Sequence, residues 1–269
     1  MEDTPPKPPA KFGDLLERVI SALVMAGIAG IVFWKGGEFV LVLLVVVGGL
    51  MSWEFRRIIL PDASNSDTGL WVMVAGTTGA VIAANLFGFF FAFPIVLLAA
   101  FILWQIKHKR PIWIASGMLY LAIPLAALMV IREEQGLAPV LWLIGVVIAS
   151  DVGGYFAGQL LGGPKFWPAI STKKTWSGTI GGWALAMVVG LIYWLFFGRE
   201  TGFFAVLFFS VFLSMAAQAG DLFESWLKRK AGVKDSSQLI PGHGGLLDRF
   251  DGLLAATAAY MLLHIFAVL

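Results

Sequence analysis

Apolar residues gather into nine runs, near positions 18–34, 37–55, 70–87, 88–106, 112–131, 138–161, 178–198, 202–223 and 250–268. A helix crossing a bilayer needs about 20 predominantly apolar residues, and each run approaches that length. Polar residues fall mostly between the runs. The pattern predicts an all-α, polytopic integral membrane protein with about nine transmembrane helices. The third and fourth runs meet at Phe87-Gly88, so that boundary is the least defined. Ahead of the first run, residues 1–17 hold Pro5, Pro6, Pro8 and Pro9 among polar neighbours, which reads as a disordered cytosolic head. The first run ends in Phe33-Trp34-Lys35 without a small-residue cleavage site, so it is read as a span and not as a signal peptide. Residues 18–131 then form an N-terminal group of about five helices. Residues 138–269 form a group of about four, with cytosolic loops.

Composition supports this reading. Of the 269 residues, 59% are hydrophobic and only 13% charged, against roughly 25% charged in an ordinary soluble domain. Nine spans consume nearly the whole chain and leave no room for a soluble domain of about 100–150 residues. A formal charge of +2 gives no electrostatic footprint for nucleic acid. Without cysteine, disulfides, thiolate catalysis and Cys-ligated metals are excluded.

The distribution of charge orients the chain. With the N-terminus in the cytoplasm, sixteen of the nineteen basic residues fall in inside segments. Only Lys35, Arg132 and Arg199 fall outside. That asymmetry matches the positive-inside rule, and adding or removing one early helix would scramble it. Trp53-Glu54-Phe55-Arg56-Arg57 reads as a helix end at headgroup depth, and Lys107-His108-Lys109-Arg110 as a basic orientation signal near anionic lipid.

Polar chemistry concentrates after residue 150. Asp151 falls near the middle of the sixth run, where an isolated carboxylate costs on the order of 2.5–3.5 kcal/mol. It is expected either to stay protonated or bonded to a neighbouring helix, or to face a polar cavity. Gly154, Gly158 and Gly162 follow at a spacing of four, a ridge that lets another helix approach closely. Ser171-Thr172-Lys173-Lys174-Thr175-Trp176-Ser177-Gly178 suits a phosphate, with ammonium groups, hydroxyls and a following helix N-terminus. A topology-setting basic loop has the same composition. Asp221, Glu224, Ser225 and Lys228 share one face if the eighth helix continues past its apolar part. Arg229, Lys230 and Lys234 follow. Pro241-Gly242-His243-Gly244-Gly245 then forms a flexible turn, and Asp248-Arg249-Phe250-Asp251 opens the ninth run. Oxygen ligands without a histidine cluster suit a hard cation, Mg²⁺ above all. Carboxylates that hold a metal beside bases that hold phosphate oxygens point to phosphoryl or nucleotidyl transfer.

The 27 positions from Ser225-Trp226-Leu227-Lys228-Arg229, through Lys234-Asp235, to Pro241-Gly242-His243-Gly244-Gly245-Leu246-Leu247-Asp248-Arg249-Phe250-Asp251 closely resemble the signature of the phosphatidate cytidylyltransferases (CDP-diacylglycerol synthases). The segments from Ser150-Asp151 to Gly158 and from Ser171 to Gly178 look like the same family. Thr172 and Ser177 stand where the family usually has Pro and Glu, so no role for a carboxylate at position 177 carries over. The first 140 residues resemble the family only as hydrophobic helices.

The resemblance implies that CTP and phosphatidic acid react to CDP-diacylglycerol and pyrophosphate, at the cytosolic face of a bacterial inner membrane. Asp221 and Asp248 are expected as metal ligands, then Asp251, with Asp151 supporting them or serving a second cation. Lys173, Lys174, Lys228, Arg229, Lys234 and Arg249 are expected on phosphates of CTP or lipid. Ser225 and His243 are expected as hydrogen-bonding groups, His243 toward the leaving pyrophosphate, and His264 as structural. Membrane lipids are expected partners, and the glycine-rich spans make a homodimer an expectation too. A CTP-dependent polyprenol or phytol kinase is the nearest rival, but the long lead-in from Ser225 to Asp235 favours the cytidylyltransferase. An ion-coupled transporter would accommodate Asp151. Such transporters tend to show two matching halves, and no repeat relates 18–131 to 138–268.

Overall fold

The computed structural model describes residues 11–61, 67–106, 110–240 and 244–266. Among them are nine α-helices: α1 (Lys11–Lys35), α2 (Glu38–Ile59), α3 (Thr68–Phe87), α4 (Ala92–Gln105), α5 (Pro111–Val130), α6 (Leu137–Leu161), α7 (Trp176–Phe196), α8 (Phe203–Lys230) and α9 (Leu247–Ile265). Every predicted run becomes one helix. The described chain is already helical at Lys11, so the expected irregular head is shorter at its C-terminal end. α3 and α4 do not merge. Gly88 at φ 100° ends α3, and a 3₁₀ turn, Phe89–Phe91, leads into α4. A backbone with that φ suits glycine and few other residues.

Six helices are long and apolar enough to cross a membrane by themselves: α2, α3, α5 with the π turn Ile131–Gln135 that extends it, α6, α7 and α8. α1 and α4 contribute shorter apolar stretches, Ile20–Lys35 and Phe89–Gln105. α5 lies at the centre and packs on α2, α3, α4 and α9. Leu121, Ala122, Leu125, Ala126 and Met129 are buried along it. α6 and α7 approach closely. A side chain at Gly153 or Gly178 would strike the facing backbone, the Gly181 carbonyl in one case and the Gly154 carbonyl in the other. The glycine ridge is thus spent on packing within the chain and gives no argument for a second copy. Gly162 is not part of that ridge. It caps α6 at φ 62° with open space around it.

Two departures matter for the site. Between α6 and α7 the chain forms a small antiparallel hairpin, β1 (Lys165–Trp167) with β2 (Ser171–Thr175), which helical periodicity cannot foresee. The end of α2 is also not an interfacial surface, because Glu54 and Arg56 are fully buried. Arg56 pairs with Asp67 at 2.9 Å. Of the basic cluster, residues 107–109 lie outside the described residues. Arg110 precedes α5 and donates from Nη1 to the Ile59 carbonyl at 2.9 Å.

Candidate active site

A cavity of about 370 Å³ opens where α6, the hairpin, the start of α7 and the middle of α8 meet. That size falls in the range of small-molecule sites, about 300–1,000 Å³. Asp151, Tyr155 and Gln159 reach it from α6, Lys173 and Lys174 from β2, and Gln218 and Asp221 from α8. Asp151 therefore faces a cavity, the second of the two alternatives raised for it.

Each lining group has a local cause. Thr175 ends β2 and caps α7, its Oγ1 accepting from Gly178 N at 3.2 Å. Ser177, on the first turn, donates to the Gly162 carbonyl and so ties the start of α7 to the end of α6. These bonds fix the strand that carries both lysines. Lys174 Nζ lies 2.6 Å from Asp221 Oδ2, with both side chains about a third exposed. Ser225 Oγ, one turn further along α8, donates to Asp221 Oδ1 at 3.3 Å. Below them Gln218 joins three helices. Its Nε2 donates to Ser150 Oγ at 3.2 Å and to the Thr179 carbonyl at 3.3 Å, and its Oε1 accepts from Trp183 Nε1 at 3.1 Å. Ser214 Oγ donates to Ser150 Oγ at 2.8 Å. A polar floor this deep in apolar helices persists because its members satisfy one another.

α8 runs 28 residues to Lys230, about 42 Å at 1.5 Å per residue, well beyond the roughly 30 Å hydrocarbon core. The predicted common face of Asp221, Glu224, Ser225 and Lys228 is therefore helical throughout. Next to the cavity lies a second charged group. Lys228 Nζ sits 2.5 Å from Asp248 Oδ1 and 3.3 Å from Glu224 Oε1. Asp251, one turn further along α9, lies within electrostatic reach of the Glu224 carboxylate. Asp248 is almost fully engaged: besides Lys228 it accepts from Ser236 N and Ser236 Oγ, each at 3.0 Å, and from Gly245 N at 2.8 Å.

Asp221 and Asp248, expected to face one ion, thus have different partners in this structure. Among the described residues no three acidic or imidazole side chains gather closely enough to enclose a metal. Asp251 and Asp151 both lie within electrostatic reach of Asp221, and Arg249 within reach of Asp151. Arg229 and Lys234 are exposed; Arg229 Nη1 donates to the Val233 carbonyl at 3.3 Å beyond the end of α8. His243 lies outside the described residues. His264 lines a separate cavity of about 450 Å³ with Phe87, Phe90 and Glu134.

Sequence reasoning placed Glu224 on the charged face of α8 without giving it a role, read Glu54 as part of an interfacial helix end, and passed over Gln218. Glu224 and Gln218 each lie three positions from Asp221, so the face that exposed Asp221 carried a signal for both. Glu54 had no such signal, because its partners are remote.

Comparison with known proteins gives the family. Residues 16–266 match the Cytidylyltransferase family, so the likeness extends well beyond the C-terminal motifs into the apolar first half. A phosphatidate cytidylyltransferase of Brucella suis is 35% identical over 96% of this chain and 95% of its own length. One from Helicobacter pylori is 32% identical over 92% and 91%. A third, from Bacillus subtilis, is 41% identical over about half of each chain. This chain belongs to the cytidylyltransferase family.

Proposed function

We propose that this protein transfers the cytidylyl group of CTP to phosphatidate, releasing pyrophosphate and forming CDP-diacylglycerol at the cytosolic face of a bacterial inner membrane. The observation that carries this reading is the cavity itself. Two lysines and two aspartates converge there, at the rim of a helix surface suited to lipid. Tyr155, on that rim, is 64% exposed, and Leu160 and Leu161 beyond it are 80% and 75% exposed. A substrate with a phosphate head and acyl tails needs both environments at once. The excess of basic residues at the hairpin, the end of α8 and the start of α9 supports a cytosolic site.

The nucleophile is the phosphatidate phosphate, whose second pKa near roughly 6 leaves it mostly dianionic at neutral pH. No strong general base is required. One of its oxygens bonds to the α-phosphorus of CTP as the bond from that phosphorus to the bridging oxygen of pyrophosphate breaks. Catalysis then rests on positioning and on neutralising charge. Lys173 and Lys174 hold phosphate oxygens, while the Thr175 cap and Ser177 keep the hairpin in place. Arg249, within electrostatic reach of Asp151, adds positive charge near the cavity, while Lys228 is held by Glu224 and Asp248.

The donor set fits Mg²⁺, which takes one or two carboxylates together with phosphate oxygens and water. Asp221 and Asp151 line the cavity and are open to it. Asp251 stands behind Asp221, and Asp248 would serve as a ligand only by releasing one of its present donors. When bound, the ion would neutralise the polyphosphate and polarise its phosphoryl oxygens. The test is direct. Purified protein given CTP, Mg²⁺ and phosphatidic acid should release pyrophosphate and form a CDP-lipid. Release of CDP with phosphorylation of a lipid alcohol would instead establish a kinase.

A further inference from the structure

Glu54 stands on α2, in the apolar half of the chain, and is fully buried. Its carboxylate accepts three hydrogen bonds from residues more than 180 positions away: Ser237 Oγ at 2.5 Å, Leu246 N at 2.9 Å and Leu247 N at 2.6 Å. Two of these donors are backbone N–H groups at the start of α9. Such groups have no partner within their own helix. Leu246, at the N-cap position, has no side-chain acceptor, and no side chain of the segment itself caps this helix. Glu54 is therefore a cap delivered from another helix, with its charge at the end of α9 where the helix dipole favours an anion.

The clamp bears directly on the site. Ser236, next to Ser237, donates to Asp248 from both N and Oγ. A side chain at Gly245 would collide with Ser236 Oγ and Glu54 Oε1, so the backbone there lies directly against the two clamping groups. Glu54 and Asp248 thus grip Ser236, Ser237 and residues 245–247 between them. Asp248, Arg249 and Asp251 all stand on the first turns of α9. Glu54 itself does not line the cavity.

We propose that Glu54 is a positioning residue for the transfer, setting the height and rotation of α9, and hence of its acidic and basic groups, relative to α8. This rests on the reaction proposed above. A misplacement near 1 Å can cost about 10²-fold in rate. Glu54→Gln keeps the shape but can accept with only one oxygen. In detergent it is expected to melt within a few degrees of the wild type, to lose about tenfold or more in kcat, and to keep its KM for phosphatidate within about twofold. Hydrogen exchange of residues 236–240 and 244–247 should accelerate about tenfold or more, while α3 and α4 exchange as before. Wild-type kcat in the folded variant overturns the proposal, and so does a lost kcat with unchanged exchange in that segment. If Glu54→Gln fails to fold, Ser237→Ala decides, since it removes one donor and leaves both N–H bonds. A drop of about threefold or more in kcat with faster exchange supports the clamp, and wild-type behaviour overturns it. Absence of CDP-lipid formation by the wild type would sink the reaction instead, and the exchange data would still judge the clamp.

Discussion

α5 and α7 are both apolar along their whole length, yet they sit in different surroundings. In the most apolar stretch of α5, 72% of residues are buried inside the protein; in α7 the figure is 22%. α5 is enclosed by α2, α3, α4 and α9, whereas α7 packs on α6 and α8 and turns its remaining face outward. The other long helices fall between these limits, from 39% in α8 to 44% in α2, α3 and α6. The first five helices bury large apolar side chains such as Leu44, Met51, Met73 and Met118, and α2 also buries Ser52, Glu54 and Arg56. The last four bury Ser150, Thr179, Ser210, Ser214 and Glu224. α5 sits inside a packed scaffold, while α7 forms a thin wall beside the cavity. Apolar composition cannot tell these apart, because lipid and protein interior are equally apolar neighbours. The two groups of helices meet where α2 and α5 contact α9.

Substitutions should separate the two roles, with the largest effect where they coincide. Asp248→Asn is expected to remove turnover and also to destabilise the fold by about 3–5 kcal/mol, because Lys228 is left buried with one anion fewer. Thermal melting in detergent, read beside CDP-lipid formation, would show both losses; intact stability would detach Asp248 from the scaffold. Asp221→Asn should be cleaner. Its side chain is 34% exposed, against 6% for Asp248, so activity should fall about 10²–10³-fold with melting nearly unchanged.

Next in size is Lys174→Met. Loss of a charge-assisted bond to phosphate, worth about 1.5–3 kcal/mol, should raise the KM for CTP about 10- to 100-fold while pyrophosphate release stays measurable. An unchanged KM would return the lysine pair to a topological role. The smallest effect is expected at Lys230, whose ammonium lies 4.9 Å and 5.0 Å from the rings of Trp113 on α5 and Trp226 on α8. Lys230→Ala should lower stability by about 0.5–1 kcal/mol and leave both KM values in place. A larger drop would mean that the two halves depend on this contact more than on the burial around α5.

Run length and polarity were enough to mark nine helices, because a bilayer forces every backbone polar group into internal hydrogen bonds and so turns each apolar stretch into a helix. The i, i+3, i+4 spacing on α8 was equally legible, since a helix face depends on local geometry alone. Pairing was not. Lys174 meets Asp221 across a hairpin whose strands show no helical period. Lys228, expected on a phosphate, bridges Glu224 and Asp248 in this structure. Glu54, which read as a surface charge, is a buried acceptor for the start of α9. Apart from the i,i+4 pair of Lys228 and Glu224, these contacts join residues separated by 20 to more than 180 positions, and such closures are chosen by how the helices pack, which no local pattern encodes. Chain order alone fixed which segments are helices and which residue types could handle phosphate. Only packing decided which acid faces the cavity, which holds a lysine, and which accepts from the start of α9.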